Sequence, residues 1–258
     1  MDMQIEGLRV LVTAGAGGIG LETARAFVRE GAKVFVCDVD LAALDAMKAS
    51  DPAIKAVVCD VADRAAVGKM FDEALAFLGG LDCLVNNAGI AGPTARVEEI
   101  RPEDWDRCVE VCLTSQFNLA RLAVPHLKAS KNPSIINLSS AAGKNGFALR
   151  SPYSAAKWGV VGFTKSLAIE LGEFGVRVNA ILPGLVAGDR IRRVLEAKAQ
   201  QYGKPFKEVE AQAFAYASIK DYIQPQQLAD QMVFLASPRG RTISGQAISI
   251  DGDTKMLM

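Results

Sequence analysis

Histidine is almost absent from this chain, since His126 is the only one. The five cysteines form no Cys-x-x-Cys pair and have no histidine pair near them. These absences argue against a zinc site and against a disulfide framework. The sequence therefore predicts reduced, mostly buried thiols and no bound metal, with His126 in a structural role near the end of a helix.

An excess of charge of either sign is also lacking, because 29 basic residues balance 29 acidic ones. This balance gives no reason to expect a nucleic acid or an acidic membrane surface as a partner. No hydrophobic run approaches the roughly 20 residues that cross a bilayer. The first residues lack the basic start and apolar core of a signal peptide. We expect a cytoplasmic protein with no membrane or nucleic-acid partner.

The chain instead alternates apolar runs with helical patterns over its 258 residues. Runs rich in valine and isoleucine predict buried strands at residues 9–13, 33–38, 56–60, 81–86, 134–138, 177–182 and 247–250. Helical patterns cover residues 18–30, 41–49, 64–78, 102–126, 152–174 and 226–236. We predict an α/β fold in one domain over residues 1–258, a Rossmann-like, doubly wound parallel sheet of about seven strands with helices on both faces.

One segment, residues 185–224, departs from this alternation. It follows the sixth predicted strand and carries two helical patterns, around Gly203 and Pro205. It leaves the sheet at the carboxyl ends of the strands, where ligands bind in such folds. Long connections in this place are often functional. We predict a substrate lid, and a helical insertion without a function is the alternative.

A glycine cluster follows the first predicted strand and opens the first helix. It comprises Gly15, Gly17, Gly18 and Gly20, with Ile19 between the last two. Glycines allow a tight turn and let a pyrophosphate approach the free amides of a helix N-terminus. Asp38 ends the second strand eighteen residues past Gly20, where a carboxylate can bind an adenosine ribose and repel a 2′-phosphate. This pattern favours NAD over NADP.

Tyr153 and Lys157 form a Tyr-x-x-x-Lys pair, and Ser140 lies thirteen residues before Tyr153. Residues four apart share one face of a helix, so an ammonium group can lie beside a phenol. A free phenol has a pKa near ~10, and nearby positive charge makes it a usable acid and base at neutral pH. The pair predicts proton transfer beside a phosphate-binding loop, and an ordinary helix pair is the alternative.

Together these motifs resemble the short-chain dehydrogenase/reductase family in its compact form. The resemblance covers nearly the whole chain and includes further motifs: Asp60-Val61, Asn86-Asn87-Ala88-Gly89, Pro183-Gly184, Ser244-Gly245-Gln246 and Asp251-Gly252. It implies an NAD-dependent oxidoreductase that interconverts a secondary alcohol and a ketone. The implied assembly is a homotetramer.

The resemblance also implies a role for each matching residue. Tyr153 exchanges a proton with the substrate oxygen, Lys157 holds the nicotinamide ribose and stabilises the phenolate, and Ser140 binds the reacting oxygen. The cofactor contacts implied are Gly15, Gly18, Ile19, Gly20, Asp38, Asp60, Val61, Asn87, Ala88, Gly89, Tyr153, Lys157, Pro183, Gly184 and Val186.

Four positions depart from the family pattern. Cys112 stands where the family has an asparagine that helps a water connect the lysine to solvent, and a thiol cannot replace an amide one for one. The other departures are Ser115 for a glycine, Ala14 for the first glycine of the loop, and Gly188 for a threonine. We expect activity to persist, because the catalytic set is intact and a backbone carbonyl could hold the water.

The substrate and two rival functions stay open at this point. Several arginines could pair with a carboxylate or a hydroxyl-rich substrate, although most arginines of this kind are solvated. They are Arg96, Arg150, Arg190, Arg192 and Arg193. They favour a small polar substrate of hydroxy acid, sugar or polyol type. One rival is an NADPH-dependent ketone reductase, which Asp38 argues against. The other is a catalytically weak dinucleotide-binding protein, for which Cys112 is the only support.

Overall fold

The computed structural model describes residues 2–257 and confirms the predicted parallel sheet. Seven strands pair in the order β3-β2-β1-β4-β5-β6-β7, all parallel. Their bounds are β1 Arg9–Thr13, β2 Lys33–Asp38, β3 Lys55–Val58, β4 Cys83–Asn86, β5 Ser134–Leu138, β6 Arg177–Pro183 and β7 Ala247–Ile250. The order reverses between β1 and β4, which creates the crevice at the carboxyl edge where such sheets bind ligands.

Helices cover both faces of the sheet, as predicted. They are α1 Gly18–Arg29, α2 Leu41–Ser50, α3 Arg64–Leu78, α4 Pro102–Val109, α5 Ser115–Leu127, α6 Ser151–Leu171, α7 Asp189–Tyr202, α8 Phe206–Ala215 and α9 Pro225–Ala236. The side chains of Asp40 and Asp63 accept amide hydrogen bonds from the first turns of α2 and α3, which fixes where these helices begin. Within residues 2–257, no helix has the length and apolar character needed to cross a membrane.

Alternate strand residues point to opposite faces, and each face has its own core. Val10 and Val36 pack on the side of α1, α2 and α9, whereas Leu11 and Phe35 pack on the side of α3 and α5. Each fully buried apolar side chain of this size contributes about 1.5–3 kcal/mol relative to leaving it in water. Burial on both faces explains why the strands read as continuous apolar runs.

The single helix predicted at residues 102–126 is wrong in one respect. A π-helical turn at Glu110–Thr114 separates α4 from α5. Two side chains donate hydrogen bonds to backbone carbonyls of this widened turn. Ser115 Oγ donates to Val111 O at 2.7 Å, and Gln116 Nε2 donates to Cys112 O at 3.2 Å. A π-turn adds one residue to the turn while leaving the helix axis nearly continuous, so the hydrophobic pattern did not reveal it.

The predicted end of the third strand is also too late. Strand β3 ends at Val58 rather than at residue 60. The Asp60 carboxylate accepts from the Ala62 amide at 3.0 Å, so the chain has already begun a turn at Asp60.

The segment 185–224 contains the two predicted helical patterns as α7 and α8. Gly203, at φ +62°, ends α7, and Pro205 precedes α8. The two ends of the segment are joined, since the Ala187 amide donates to Ile223 O and the Ile223 amide donates to Leu185 O, both at 2.9 Å. The α7–α8 pair therefore projects from a narrow neck beside the carboxyl ends of the strands.

Candidate active site

The loop between β1 and α1 has the geometry of an anion cradle. Gly15 lies against β2, because a methyl group there would be 2.6 Å from Val36 Cβ. Gly17 caps α1 without a side chain, and open space surrounds both Gly17 and Gly18. An N-terminus with free first-turn amides and no side chain in front of it fits a pyrophosphate. Ala14 adopts φ +50°, a left-handed conformation that costs alanine more than glycine.

The end of β4 holds this loop in place. Asn87 Nδ2 donates to the carbonyls of Thr13 and Ala14, both at 2.9 Å. The amides of Asn87 and Ala88 donate to Thr13 Oγ1 at 3.0 and 2.9 Å. The Asn87 side chain therefore shapes the loop, and Thr13 is a positioning residue that the sequence reasoning missed. Its only signal is a hydroxyl at the end of an otherwise apolar strand.

We expect Gly20→Ala to weaken NADH binding at least about tenfold and to lower the free energy of unfolding by about 1–3 kcal/mol. The new methyl group would collide with the Ala14 carbonyl oxygen and the Asn87 amide. Fluorescence titration and thermal unfolding measure the two effects. Gly68→Ala is the matched control, because a methyl group there would meet nothing within 4 Å in α3 and alanine favours a helix. Equal behaviour of the two variants would contradict this account of the loop.

Two carboxylates lie near the loop at the ends of β2 and β3. Asp38 Oδ2 accepts from the Ala16 amide at 3.0 Å, and its Oδ1 accepts from the Val39 amide at 2.7 Å. Asp60 pairs with Arg107 at 2.9 Å. Burial alone would raise the pKa of Asp60, but the Ala62 amide and Arg107 together lower it below the ordinary value. Asp38 is thus fixed next to the glycine loop, and Val61 is buried behind Asp60.

Residues from β5 and α6 form the predicted catalytic group. Ser140 follows β5, and its Oγ accepts from the Ala142 amide at 3.1 Å. Gly143 lets this turn approach α6, because a methyl group there would lie 2.7 Å from the Lys157 carbonyl oxygen. Lys157 Nζ is buried, donates to Leu138 O at 2.7 Å and lies 5.7 Å from the centre of the Tyr153 ring. The phenol and the ammonium group are therefore neighbours at the carboxyl edge.

The remaining predicted cofactor residues border the same edge. Gly89 follows β4, and a methyl group there would be 3.4 Å from Lys157 Nζ. Pro183 ends β6. Gly184 lies against Asp251, because a methyl group added at Gly184 would be 2.8 Å from the Asp251 Cα atom. Val186 lies in the neck of segment 185–224, bridged to Ile223. The structure thus places the residues after β1, β2, β4, β5 and β6 around one crevice.

Cys112 lies in the π-turn and is fully buried. Its Sγ is 3.4 Å from the Ile90 carbonyl oxygen, to which a thiol donates. Gln116 Nε2 donates both to the Cys112 carbonyl and to Leu138 O, each at 3.2 Å. Leu138 O is also the acceptor for Lys157 Nζ. Gln116 therefore links the π-turn to the carbonyl that positions Lys157, and a polar residue on the buried side of a predicted helix is the signal that could have revealed it.

We expect Cys112→Asn to preserve or raise turnover, up to about tenfold, because an amide offers a stronger donor and acceptor than a thiol. Steady-state kcat measures the effect, with Cys112→Ala as the comparison that removes the thiol without adding an amide. A collapse of turnover in both variants, with NADH binding retained, would instead give the thiol a role of its own.

Basic side chains collect next to Tyr153. Arg150 is only 2% exposed, and its Nη2 donates to the Ala91 carbonyl. Arg190 Nη2 lies 3.4 Å from Tyr153 Oη and donates to Ile90 O at 3.1 Å. In contrast, Arg96 and Arg193 are exposed, and Arg192 pairs with Glu196 on the surface of α7. Two of the five candidate arginines therefore reach the site.

Lys198 is a further basic residue that the sequence reasoning missed. It lies on the buried side of α7 and is 2% exposed, with its Nζ 4.1 Å from the centre of the Phe147 ring. Burial, and then the charge of Arg150, lower the pKa of Lys198 to about 8. The signal was its spacing, four residues after Val194 on the same helical face.

Several known proteins are similar to this chain over nearly its whole length. A family model described as Enoyl-(Acyl carrier protein) reductase matches residues 14–253. D-beta-hydroxybutyrate dehydrogenase of Cupriavidus necator is 35% identical over 253 residues, which are 96% of this chain and 98% of that protein. The chain belongs to the short-chain dehydrogenase/reductase family. As a member it is an oxidoreductase, and the resemblance predicted from the motifs is confirmed.

Other members of the short-chain dehydrogenase/reductase family are similar over comparable lengths. Sorbitol dehydrogenase of Cereibacter sphaeroides is 34% identical over 256 residues, 98% of this chain and 100% of that protein. An NAD+-bound xylitol dehydrogenase structure has a TM-score of 0.92 at 27% identity, covering 96% of this chain and 99% of its own. Actinorhodin polyketide ketoreductase with NADPH has a TM-score of 0.90 at 32% identity, covering 98% of each chain. Both nicotinamide cofactors therefore occur among solved members with this fold.

Proposed function

We propose that this oxidoreductase uses NAD(H) to interconvert a small polar secondary alcohol and its ketone. In the oxidation direction, the alcohol carbon gives a hydride to NAD+, the hydroxyl gives a proton, and the products are ketone, NADH and H+. The observation that carries the proposal is the grouping of Ser140, Tyr153 and Lys157 at the crevice next to the glycine loop. The relatives bearing the names of hydroxybutyrate, sorbitol and xylitol dehydrogenases support a polar substrate.

Each catalytic residue has a distinct task in this proposal. When bound, the nicotinamide supplies hydride acceptance and donation. Tyr153 takes the hydroxyl proton, because its phenol ring lies beside the buried Lys157 ammonium, 5.7 Å from the ring centre to Nζ. Lys157 stabilises the phenolate and binds the ribose, while Leu138 O holds its Nζ in position. Ser140 Oγ donates to the substrate oxygen as charge develops there.

The preference for NAD rests on Asp38. Its carboxylate is fixed by amides of the glycine loop and of its own turn, where it can accept hydrogen bonds from ribose hydroxyls and repel a 2′-phosphate. No basic residue occurs in residues 14–18 to offset that charge. The residues proposed to bind NAD are those after β1, β2, β3, β4 and β6 named above.

Two larger features belong to the same proposal. Segment 185–224 serves as the substrate lid, because its α7 carries Arg190 to the Tyr153 phenol. A homotetramer forms through α5 and α6, which expose large apolar side chains at Phe117, Trp158 and Ile169. A single domain over residues 1–258 and a cytoplasmic location stay predictions.

An absorbance assay of the nicotinamide tests the proposed function. Secondary alcohols and their ketones are offered with NAD(H) and NADP(H) in parallel, and turnover is expected with NAD(H). Turnover restricted to NADPH and ketones would favour the rival reductase. Measurable NADH binding with no turnover across the panel would favour the rival dinucleotide-binding protein.

A further inference from the structure

Four positive charges surround the rings of Tyr153 and Phe147. Arg150 Cζ, Lys157 Nζ and Arg190 Cζ lie 5.0, 5.7 and 5.8 Å from the centre of the Tyr153 ring. The Phe147 ring has Lys198 Nζ at 4.1 Å and Arg150 Cζ at 5.3 Å from its centre. Arg150 and Lys198 are therefore held on one aromatic ring at the edge of the catalytic group.

These charges have no negative partner among residues 2–257. The ion pairs of this part of the chain involve other basic residues. Lys198 Nζ and two donors of Arg150, Nε and Nη1, are buried and have no hydrogen-bond acceptor there. A buried cation without a partner is costly unless an anion completes its environment. The Lys198 ammonium and the Nε and Nη1 donors of Arg150 are thus available to an acceptor that does not belong to residues 2–257.

We propose that Arg150 and Lys198 bind a carboxylate of the substrate, so that the preferred substrate is a hydroxy acid and the product a keto acid. This inference rests on the proposed function and narrows its substrate class. A carboxylate has two oxygens, one for the planar guanidinium and one for the ammonium. Arg190, 3.4 Å from Tyr153 Oη, adds positive charge beside the catalytic phenol.

The position of Lys198 also couples the carboxylate to the lid. Arg150 immediately precedes α6, which carries Tyr153 and Lys157, whereas Lys198 lies on α7 of segment 185–224. A carboxylate bound between them bridges the catalytic helix and the lid. A neutral alcohol of the same size leaves both cations without an acceptor. Its binding is therefore weaker than that of the acid even where its shape fits equally well.

The first test uses the unmodified protein and matched ligands. 3-Hydroxybutyrate and lactate are compared with their primary amides in the NAD assay, and we expect kcat/KM to be at least a hundredfold higher for an acid than for its amide. Independently of turnover, binding of butyrate and butyramide to the NADH complex is measured by calorimetry. We expect at least tenfold tighter binding of butyrate.

Variants then assign the effect to the two cations. Lys198→Met and Arg150→Met should each lower the acid-to-amide ratio of kcat/KM at least tenfold, whereas Lys204→Met should leave it unchanged because Lys204 is exposed and paired with Glu208. Lys198→Arg should restore part of the ratio. Retained thermal unfolding and NADH binding show that a variant is folded.

The outcomes separate this inference from the proposed function. Turnover of neutral alcohols with no preference for acids, and equal binding or no binding of butyrate and butyramide, would overturn the carboxylate site while leaving the oxidoreductase in place. Selective binding of butyrate that depends on Lys198, with no turnover of any alcohol, would support the anion site and overturn the proposed function.

Discussion

Tyr153→Phe should reduce kcat at least about a thousandfold while NADH binding changes by no more than about threefold. A general acid–base group typically raises the rate by a factor of roughly 10²–10⁴. In the proposed reaction, the phenol oxygen of Tyr153 is the atom that exchanges the proton. The ring is nearly buried, with Lys157 and Arg190 beside it, and phenylalanine preserves that packing. Steady-state kinetics and fluorescence titration with NADH measure the two quantities.

Tyr202→Phe is the matched control for this substitution. Tyr202 is exposed at the end of α7, so removal of its hydroxyl should change neither kcat nor stability measurably. Retention of more than about a tenth of the turnover in Tyr153→Phe would assign the proton transfer to another group and would contradict the catalytic role proposed for Tyr153.

Asp38→Asn should change the ratio of NAD to NADP efficiency by about a hundredfold or more in favour of NADP. Two unit charges about 4 Å apart interact by about 4 kcal/mol at an effective dielectric constant near 20, and a partly exposed site retains part of that. About 1.4 kcal/mol changes a ratio tenfold. Asparagine has a single oxygen acceptor, so it can keep the hydrogen bond from the Ala16 amide but loses those that the other oxygen accepts from Val39 and Asp40. The repulsion of a 2′-phosphate disappears, and the ratio of the two cofactors separates this effect from a general loss of binding.

The comparison for this prediction is Asp63→Asn. Asp63 is an exposed cap of α3, and asparagine caps a helix as well as aspartate does, so the cofactor ratio should stay at its original value. Parallel kcat/KM measurements with NAD and NADP decide the question. An unchanged ratio in Asp38→Asn would mean that cofactor choice lies elsewhere in the crevice.

Features encoded by residues close in sequence could be predicted from the sequence. The Tyr153 and Lys157 pair is set by helical spacing alone, and the glycine loop is recognisable because a strand precedes it and a helix follows it. The parallel sheet was predictable for the same reason, since buried strands read as apolar runs between helical patterns. These signals require only local geometry.

Features that depend on tertiary contacts were not predictable. Thr13 acquires its role only when β4 brings Asn87 beside the glycine loop. Lys198 reaches Phe147 only because segment 185–224 places α7 beside the loop that precedes α6. The π-turn adds a single residue to a helix, and a hydrophobic pattern with a period near 3.6 residues tolerates that addition.

Tracing deuterium from NADH into the alcohol product tests most directly whether the protein transfers a hydride. The protein is incubated with NADH carrying two deuterium atoms at C4 and with a panel of keto acids and neutral ketones, and the alcohols formed are analysed by mass spectrometry. We expect one deuterium on the carbinol carbon, loss of the labelled product in Tyr153→Phe, and the highest yield from keto acids. Alcohol without deuterium, or labelled alcohol formed equally by Tyr153→Phe, would contradict the account.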